Sequence, residues 1–382
     1  MTRKSSKTFT YWVDIVGACN LRCPSCPRGN FSAEDSETGV PPSGLMDFDL
    51  FKQVVHRIKV DGASVNPQVH LYNWGEPLAH PDIVKFVEHV LGEGIYCGIS
   101  SNLNVDRNLE EVLATGLDFF RVSMSGFHQA SYGQTHSRGN VERVKDNMRR
   151  MRDAMDRHGT STYVEVCYHM YRHNVGDDLV EMAALCNELR FNLAPVWAFF
   201  LPIEKNIELL QNPDAELPEA LRQLYVITPR EAANIAMPYK DKPCPVRDHA
   251  IVINHDGTVP LCCNTYDRKH IIADNFLAET HEQLQAKRYD HELCGPCMDN
   301  GLHVYLGYET TGEETDALAN ERLRAMGAPL EVHQYSKPTL KRRDGGVIPL
   351  VAKCEDEIST RKKIRGLRRV AWDIGNLVRK YG

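Results

Sequence analysis

The sequence predicts an α/β fold built on a parallel sheet, and three observations carry that expectation. From Thr10 to about Phe200, short β-branched or aromatic runs alternate with longer amphipathic stretches, the rhythm of successive βα units. At 382 residues and 42% hydrophobic composition, the chain can bury one large core and carry an appendage. The short motifs GAC, NWGEP, SSN and SMSG each fall where a run of strand character stops. In a parallel α/β sheet, whether open and doubly wound or closed as a barrel, working groups collect at the C-terminal ends of the strands.

The elements follow in order. Strands are expected at TYWVDIVGA, QVHLYNW, YCGISSN, FFRVSMSG, TYVEVCYHM and LAPVWAFF, with helices near 47–60, 81–92, 107–115, 139–157 and 176–190 between them. These define a core over residues 1–200. Residues 201–243 show helical spacing around NIELL and EALRQLY and form a connector. Residues 244–300 carry five cysteines and a hairpin signal, AIVINHDGTVPLCC, in which Asp256-Gly257 supplies the turn. In the extension 301–382, GYETTGEETDALANERLRAMGAP is polar and is expected to be a loop with a short exposed helix. RKKIRGLRRVAWDIGNLVRKYG then sets Ile364, Leu367, Ala371, Ile374 and Val378 along one face of a basic amphipathic helix.

Composition removes several function classes. No apolar run reaches the ~18 residues of a membrane span. The N-terminus MTRKSSKTFTYW is briefly basic but lacks the apolar centre of a secretion signal, so a cytoplasmic location is expected. Residues 338–382 hold twelve Lys or Arg against five Asp or Glu, a balance of +7; the total of -6 therefore leaves -13 for the body. A body so acidic is no nucleic-acid binder. The tail either packs on that body or meets an anion: a phosphorylated substrate, a membrane surface or an acidic partner.

Twelve cysteines in a reducing compartment are not a disulfide framework, and their grouping indicates metal or redox chemistry. Cys19, Cys23 and Cys26 fall within eight residues, CNLRCPSC, with no nearby fourth Cys or His. By spacing alone they are half of a zinc site completed elsewhere in the fold, or an iron-sulfur cluster with one iron left open. The pattern C-x-x-x-C-x-x-C just past a first strand resembles the radical SAM superfamily. The resemblance implies a partial (β/α)6 TIM-like barrel and a 4Fe-4S cluster on Cys19, Cys23 and Cys26. On that resemblance the open iron of the cluster would be chelated by S-adenosylmethionine. It also implies reductive cleavage of that cofactor to a 5'-deoxyadenosyl radical, with electrons from a flavodoxin or ferredoxin-type donor.

Further stretches fit the same family. NWGEP resembles its GGEP segment, with Trp74 in place of the first Gly, followed by Gly75 and Glu76, in a role that touches the methionine amino group. Asn102 closes the third strand among the cofactor-binding positions. SMSG resembles S-x-D-G, which puts Ser123 at the ribose-binding position and Ser125 where an Asp is usual. Arg138 is placed like an Arg that pairs the methionine carboxylate. The residue before the third cysteine, commonly an aromatic that packs on adenine, is Ser25 here, so something else must hold the adenine.

The CGPC pair at Cys294 and Cys297 alone suggests zinc or a thioredoxin-like couple. Taken with Cys244, and with Cys262 five residues after Gly257, the pattern resembles the abbreviated SPASM module called Twitch. That implies a second, auxiliary 4Fe-4S cluster on Cys244, Cys262, Cys294 and Cys297. Cys263 is left over: a spare buried thiol, a replacement ligand, or a catalytic residue that returns a hydrogen atom to a substrate radical. Adjacent strand residues face opposite ways, so Cys262 and Cys263 cannot both point at one cluster without a bulge.

Within that group, aminocyclitol dehydrogenases and sugar epimerases suggest a small polar substrate: a sugar, an aminocyclitol or a nucleotide-like molecule. Peptide-modifying relatives generally carry a module before the barrel, for which Cys19 in the first βα unit leaves no room; a peptide maturase and a zinc scaffold are the alternatives. Tyr168, His169, Tyr171 and Trp197 lie at later strand ends but are more often core or rim residues. No residue is assigned as the base that an alcohol oxidation needs.

Overall fold

The computed structural model describes residues 8–62, 66–307, 311–334, 339–348 and 350. Seven strands form one parallel sheet in the order β6-β5-β4-β3-β2-β1-β7. They are β1 (Phe9–Asp14), β2 (Pro67–His70), β3 (Tyr96–Ser101), β4 (Phe119–Met124), β5 (Tyr163–Met170), β6 (Asn192–Trp197) and β7 (Ala250–Asn254). Helices Phe48–Gly62, Ile83–Gly92, Leu109–Ala114, Val141–His158 and Asp177–Leu189 connect the first six. The expected succession of βα units is therefore observed, as an α/β fold consistent with a partial TIM-like barrel that does not close.

Each strand alternates between two environments, as the pleat requires. Phe120, Val122 and Met124 of β4, and Val164, Val166, Tyr168 and Met170 of β5, join helix residues such as Phe51, Val87, Met148 and Met182 in the main core. Arg121 and Ser123, and Glu165, Cys167 and His169, turn to the opposite, inner face. Arg121 and Glu165 pair there at 2.9 Å, directly across the register.

The expected hairpin differs in its partners. The Asp256-Gly257 turn forms, with Gly257 at φ +85° and Asn254 N–H donating to the Thr258 carbonyl at 2.9 Å. Its arms enter different sheets: β7 pairs in parallel with β1, while β8 (Val259–Pro260) pairs with β9 (Ile271–Ala273). Ala250 to Ile253 are all buried, the pattern of a strand covered on both faces, and they cap the edge that β1 would otherwise expose.

The connector is helical as expected, with Ile203–Gln211, Glu219–Arg222 and Pro229–Ala236. The extension is not a loop with a short exposed helix. Gly312–Ala325 is a 14-residue helix, and Leu330–His333, Thr339–Arg342 and Val347–Ile348 form a small antiparallel sheet. The helix buries Thr315, Asp316, Ala319, Asn320 and Leu323. Its polar members are paired: Trp197 Nε1 donates to Asp316 at 2.8 Å, and Asn320 exchanges two bonds with the Val332 backbone at 2.8 and 2.9 Å. A polar face buried in this way carries no apolar stripe to betray it. The basic amphipathic helix expected at the C-terminus lies outside the described residues. Among the described residues no helix is long and apolar enough to cross a membrane.

Candidate functional site

The loop that leaves β1 carries the first three cysteines. Cys26 N–H donates to the Cys23 carbonyl at 3.1 Å, and Pro27 starts a short helix, Pro27–Asn30, directly after. All three side chains are half-buried. Burial pushes the thiols up, Cys19 to about 11 and Cys26 to about 12, and Cys19 adds to the rise at both Cys23 and Cys26. Three thiols held together and costly to ionise alone suit a group whose positive charge stabilises the thiolates.

Asp14, at the end of β1, organises the next segment. It is 3% exposed and accepts three backbone N–H groups, from Asn73 at 3.2 Å, Trp74 at 3.0 Å and Gly75 at 3.1 Å. A Cβ on Gly75 would lie 1.6 Å from the Val16 carbonyl, so only glycine fits beside the cysteine loop. Glu76, 2% exposed, reaches in two directions: its N–H donates to the Ala18 carbonyl at 2.9 Å, and its carboxylate accepts Leu78 N–H at 3.1 Å and Asn102 N–H at 2.9 Å. Burial moves that carboxyl up to about 7. Asn102 Nδ2 in turn lies 3.0 Å from Asn20 Oδ1 and 3.7 Å from Cys19 Sγ. Gly75, Glu76 and Asn102 thus converge on the loop of Cys19.

Ser123 is half-buried on the inner face of β4, opposite Cys167 in the register. Ser125 is buried away from that face, bonded to Thr135 Oγ1 at 2.5 Å and to His136 Nδ1. Arg138 is exposed at φ +74°, a left-handed conformation that costs a non-glycine residue about 1–3 kcal/mol. The neighbouring Ser137 carbonyl accepts Arg22 N–H at 3.2 Å, which places Arg138 beside the cysteine loop.

Ser25 is clamped by two tyrosines, with Tyr171 OH at 2.7 Å and Tyr225 OH donating at 2.8 Å. Two buried aromatic rings therefore bring their hydroxyls to this position, one from the end of β5 and one from the connector. Tyr168 and Trp197 are structural: Tyr168 OH donates to the Asn174 carbonyl at 2.9 Å, and Trp197 anchors the helix Gly312–Ala325 as described.

Cys244, Cys262, Cys294 and Cys297 line one cavity, with Ile203, Leu261, Leu293, Met298 and Leu306 forming apolar walls. Cys263 does not line it. Arg288, 1% exposed, forms the back wall and donates to the carbonyls of Leu261 (3.0 Å), Arg247 (2.8 Å), Val246 (2.9 Å) and Ala250. Burial lowers this guanidinium, and the neighbouring thiols act to raise it. Four soft donors in an apolar pocket with one buried cation fit an anionic thiolate-bound centre. Burial pushes Cys262 up to about 12 and Cys263 higher still.

The two cysteine regions are joined by Trp74. Its Nε1 donates to the Thr265 carbonyl at 3.0 Å, and its ring meets Tyr266 edge-on at 6.2 Å, three and four residues beyond Cys262. Among these residues the sequence reading missed Asp14, Tyr225 and Arg288. A lone aspartate in the apolar run TYWVDIV was a usable signal for the first; the other two carry no spacing rule.

The profile of the Radical SAM superfamily matches residues 13–186. Over 325 residues, 75% of this chain and 86% of the relative, the sequence is 25% identical to the tungsten-containing aldehyde ferredoxin oxidoreductase cofactor-modifying protein of Pyrococcus furiosus. It is 24% identical over 249 residues to the PqqA peptide cyclase of Bradyrhizobium diazoefficiens, covering 62% of this chain and 60% of that one. Among solved structures, native anSMEcpe with bound AdoMet superposes with a TM-score of 0.51 at 15% identity, over 83% of this chain and 98% of that one, a likeness of fold. The matched span begins on β1 and ends in the helix after β5, and residues 13–186 form a radical SAM domain.

Proposed function

We propose that this chain is a radical SAM enzyme with two iron-sulfur centres that takes hydrogen from carbon of a small polar substrate, with dehydrogenation or epimerisation as the outcome. Cys19, Cys23 and Cys26 would hold a 4Fe-4S cluster with one open iron; Cys244, Cys262, Cys294 and Cys297 would hold a closed auxiliary one. The observation that carries the reading is the cavity lined by those four late cysteines and linked through Trp74 to the loop of the first three. The first cluster, with S-adenosylmethionine bound, supplies a carbon radical strong enough to take hydrogen from unactivated carbon.

This chain's own residues supply position. Asp14 fixes the 73–75 backbone, Gly75 allows its close approach, and Glu76 ties that turn to Asn102. Ser123 on the inner face and Arg138 at the loop are the proposed contacts to ribose and methionine carboxylate. The Tyr171–Ser25–Tyr225 clamp fixes the residue ahead of Cys26, and because both rings are buried, adenine is held by other groups. The electron donor is proposed to be a flavodoxin or ferredoxin.

The relative named as cofactor-modifying supports a small target, and the relative named as a peptide cyclase supports a peptide as second reading. A zinc scaffold is the remaining alternative, and the radical SAM match over residues 13–186 is what favours iron over it. Anaerobic reconstitution tests the proposal. About eight irons per chain and 5'-deoxyadenosine on reduction support it; a colourless zinc protein inert to S-adenosylmethionine sinks it. With candidate substrates in deuterated water, a dehydrogenase gives a product lighter by two hydrogens, whereas an epimerase incorporates deuterium.

A further inference from the structure

Alternation along β5 places Glu165, Cys167 and His169 together on the inner face, opposite the residues that enter the core. Cys167 Sγ lies 3.9 Å from His169 Nε2. The other ring nitrogen, Nδ1, lies 3.3 Å from the Met124 carbonyl, which can only accept, so Nδ1 carries a proton and Nε2 faces the sulfur. The register sets Cys167 directly beside Ser123, the proposed ribose contact.

The charged and titratable groups around the pair come from each neighbouring element. Arg121 of β4 and Glu165 of β5 face it from lower in the sheet, Tyr72 from beyond β2, and the buried His136 from behind β4. Burial alone would raise the thiol, but His169 and Arg121 overcome it and hold Cys167 below the ordinary thiol range. Burial opposes charge on His169 as well, yet Cys167 and the Met124 carbonyl hold it above the ordinary imidazole range.

We propose that Cys167 and His169 form a thiol–imidazole pair that exchanges a proton with a hydroxyl of the bound substrate. In its ion-paired form the thiolate takes the proton: the substrate O–H bond breaks, an S–H bond forms, and the negative charge passes to the substrate oxygen beside the His169 imidazolium and Arg121. The pair supplies the base that alcohol chemistry needs and that sequence left unassigned. It rests on the substrate reading above.

The test is the alkylation of Cys167 by iodoacetamide on the reconstituted, unreduced protein. It is followed peptide by peptide by mass spectrometry from about pH 5 to 10, with Cys186, buried as Cys167 is but without an imidazole partner, as comparison. Labelling of Cys167 should reach half its maximal rate below about pH 8.5, the ordinary thiol value. His169→Gln should move that midpoint upward by a unit or more, which slows labelling at neutral pH by roughly tenfold. Saturating S-adenosylmethionine should slow it several-fold in the wild type. Labelling no faster than that of Cys186, indifferent to His169→Gln, or indifferent to S-adenosylmethionine overturns the pair. Iron content and 5'-deoxyadenosine formation on the same samples keep the readings apart. Their persistence with an ordinary Cys167 removes the pair alone; their loss with a shifted, His169-dependent Cys167 removes the radical SAM reading alone.

Discussion

Replacing Arg288 by methionine removes five N–H donors from the back wall of the late cysteine cavity. Four carbonyls, from Val246, Arg247, Ala250 and Leu261, lose a charged partner in a place that water does not reach. An unsatisfied buried acceptor costs about 1–3 kcal/mol, so the gross loss is roughly 4–12 kcal/mol. Methionine recovers several kcal/mol of the desolvation of the buried cation, which leaves a net cost of about 3–5 kcal/mol. Lysine offers three donors from a single point and cannot span carbonyls from three segments, so Arg288→Lys should regain about half. The assay is urea unfolding together with iron per reconstituted chain. For Arg288→Met the unfolding midpoint should fall by about 1 M or more. Iron should drop from about eight toward about four, because the cavity that houses Cys244, Cys262, Cys294 and Cys297 has lost its wall. Wild-type unfolding with full iron in Arg288→Met would falsify this account of the cavity.

Gly75→Ala places a methyl 1.6 Å from the Val16 carbonyl, and displacement of the 73–75 turn should weaken S-adenosylmethionine binding at least tenfold by equilibrium dialysis; unaltered affinity refutes it. Cys262→Ser should lose the auxiliary iron while Cys263→Ser keeps it, since only Cys262 lines the cavity; equal iron in both variants counts against the assignment. Acid should destabilise the protein through buried histidines. Burial pushes His136 down to about 3 and His70 and His270 to about 4, so all three stay neutral when folded, whereas the unfolded chain takes up protons below about 6.5. Stability present above about pH 6.5 is therefore lost as pH falls, by about 2 kcal/mol per histidine at pH 5. Urea midpoints at about pH 7 and 5 should differ accordingly, and His136→Asn should remove about a third of the difference; equal midpoints refute it.

Much of the scaffold was legible in the sequence because strand ends and chemistry coincide. GAC, NWGEP and SSN mark the exits of β1, β2 and β3, and the structure brings Cys19, Gly75, Glu76 and Asn102 together there. What escaped has specific causes. The hairpin signal at Asp256-Gly257 described a turn correctly but not the partners of its arms, which depend on the free edge of β1. The helix Gly312–Ala325 was hidden because it buries Asp316 and Asn320, whose partners Trp197 and Val332 are remote or backbone. Arg288 and Tyr225 act through contacts with distant segments, for which no local spacing exists. Ser25 stands where an aromatic is usual, and the structure supplies its reason in the two tyrosines that share its hydroxyl.

The bond from Trp74 to the Thr265 carbonyl has a thermodynamic corollary. Whatever settles the 73–76 turn also acts on the chain just beyond Cys262, so in the proposed reading ligation at either end biases the other partly through this indole. Such coupling is reciprocal: by whatever factor a filled late cavity tightens S-adenosylmethionine binding, bound S-adenosylmethionine tightens retention of the late centre. Trp74→Gly, which restores the glycine usual at this position, would weaken that exchange while leaving each set of ligands in place, with the contacts of Phe31 and Arg28 on Tyr266 and of Ser36 and Thr38 on Asp267 carrying what remains.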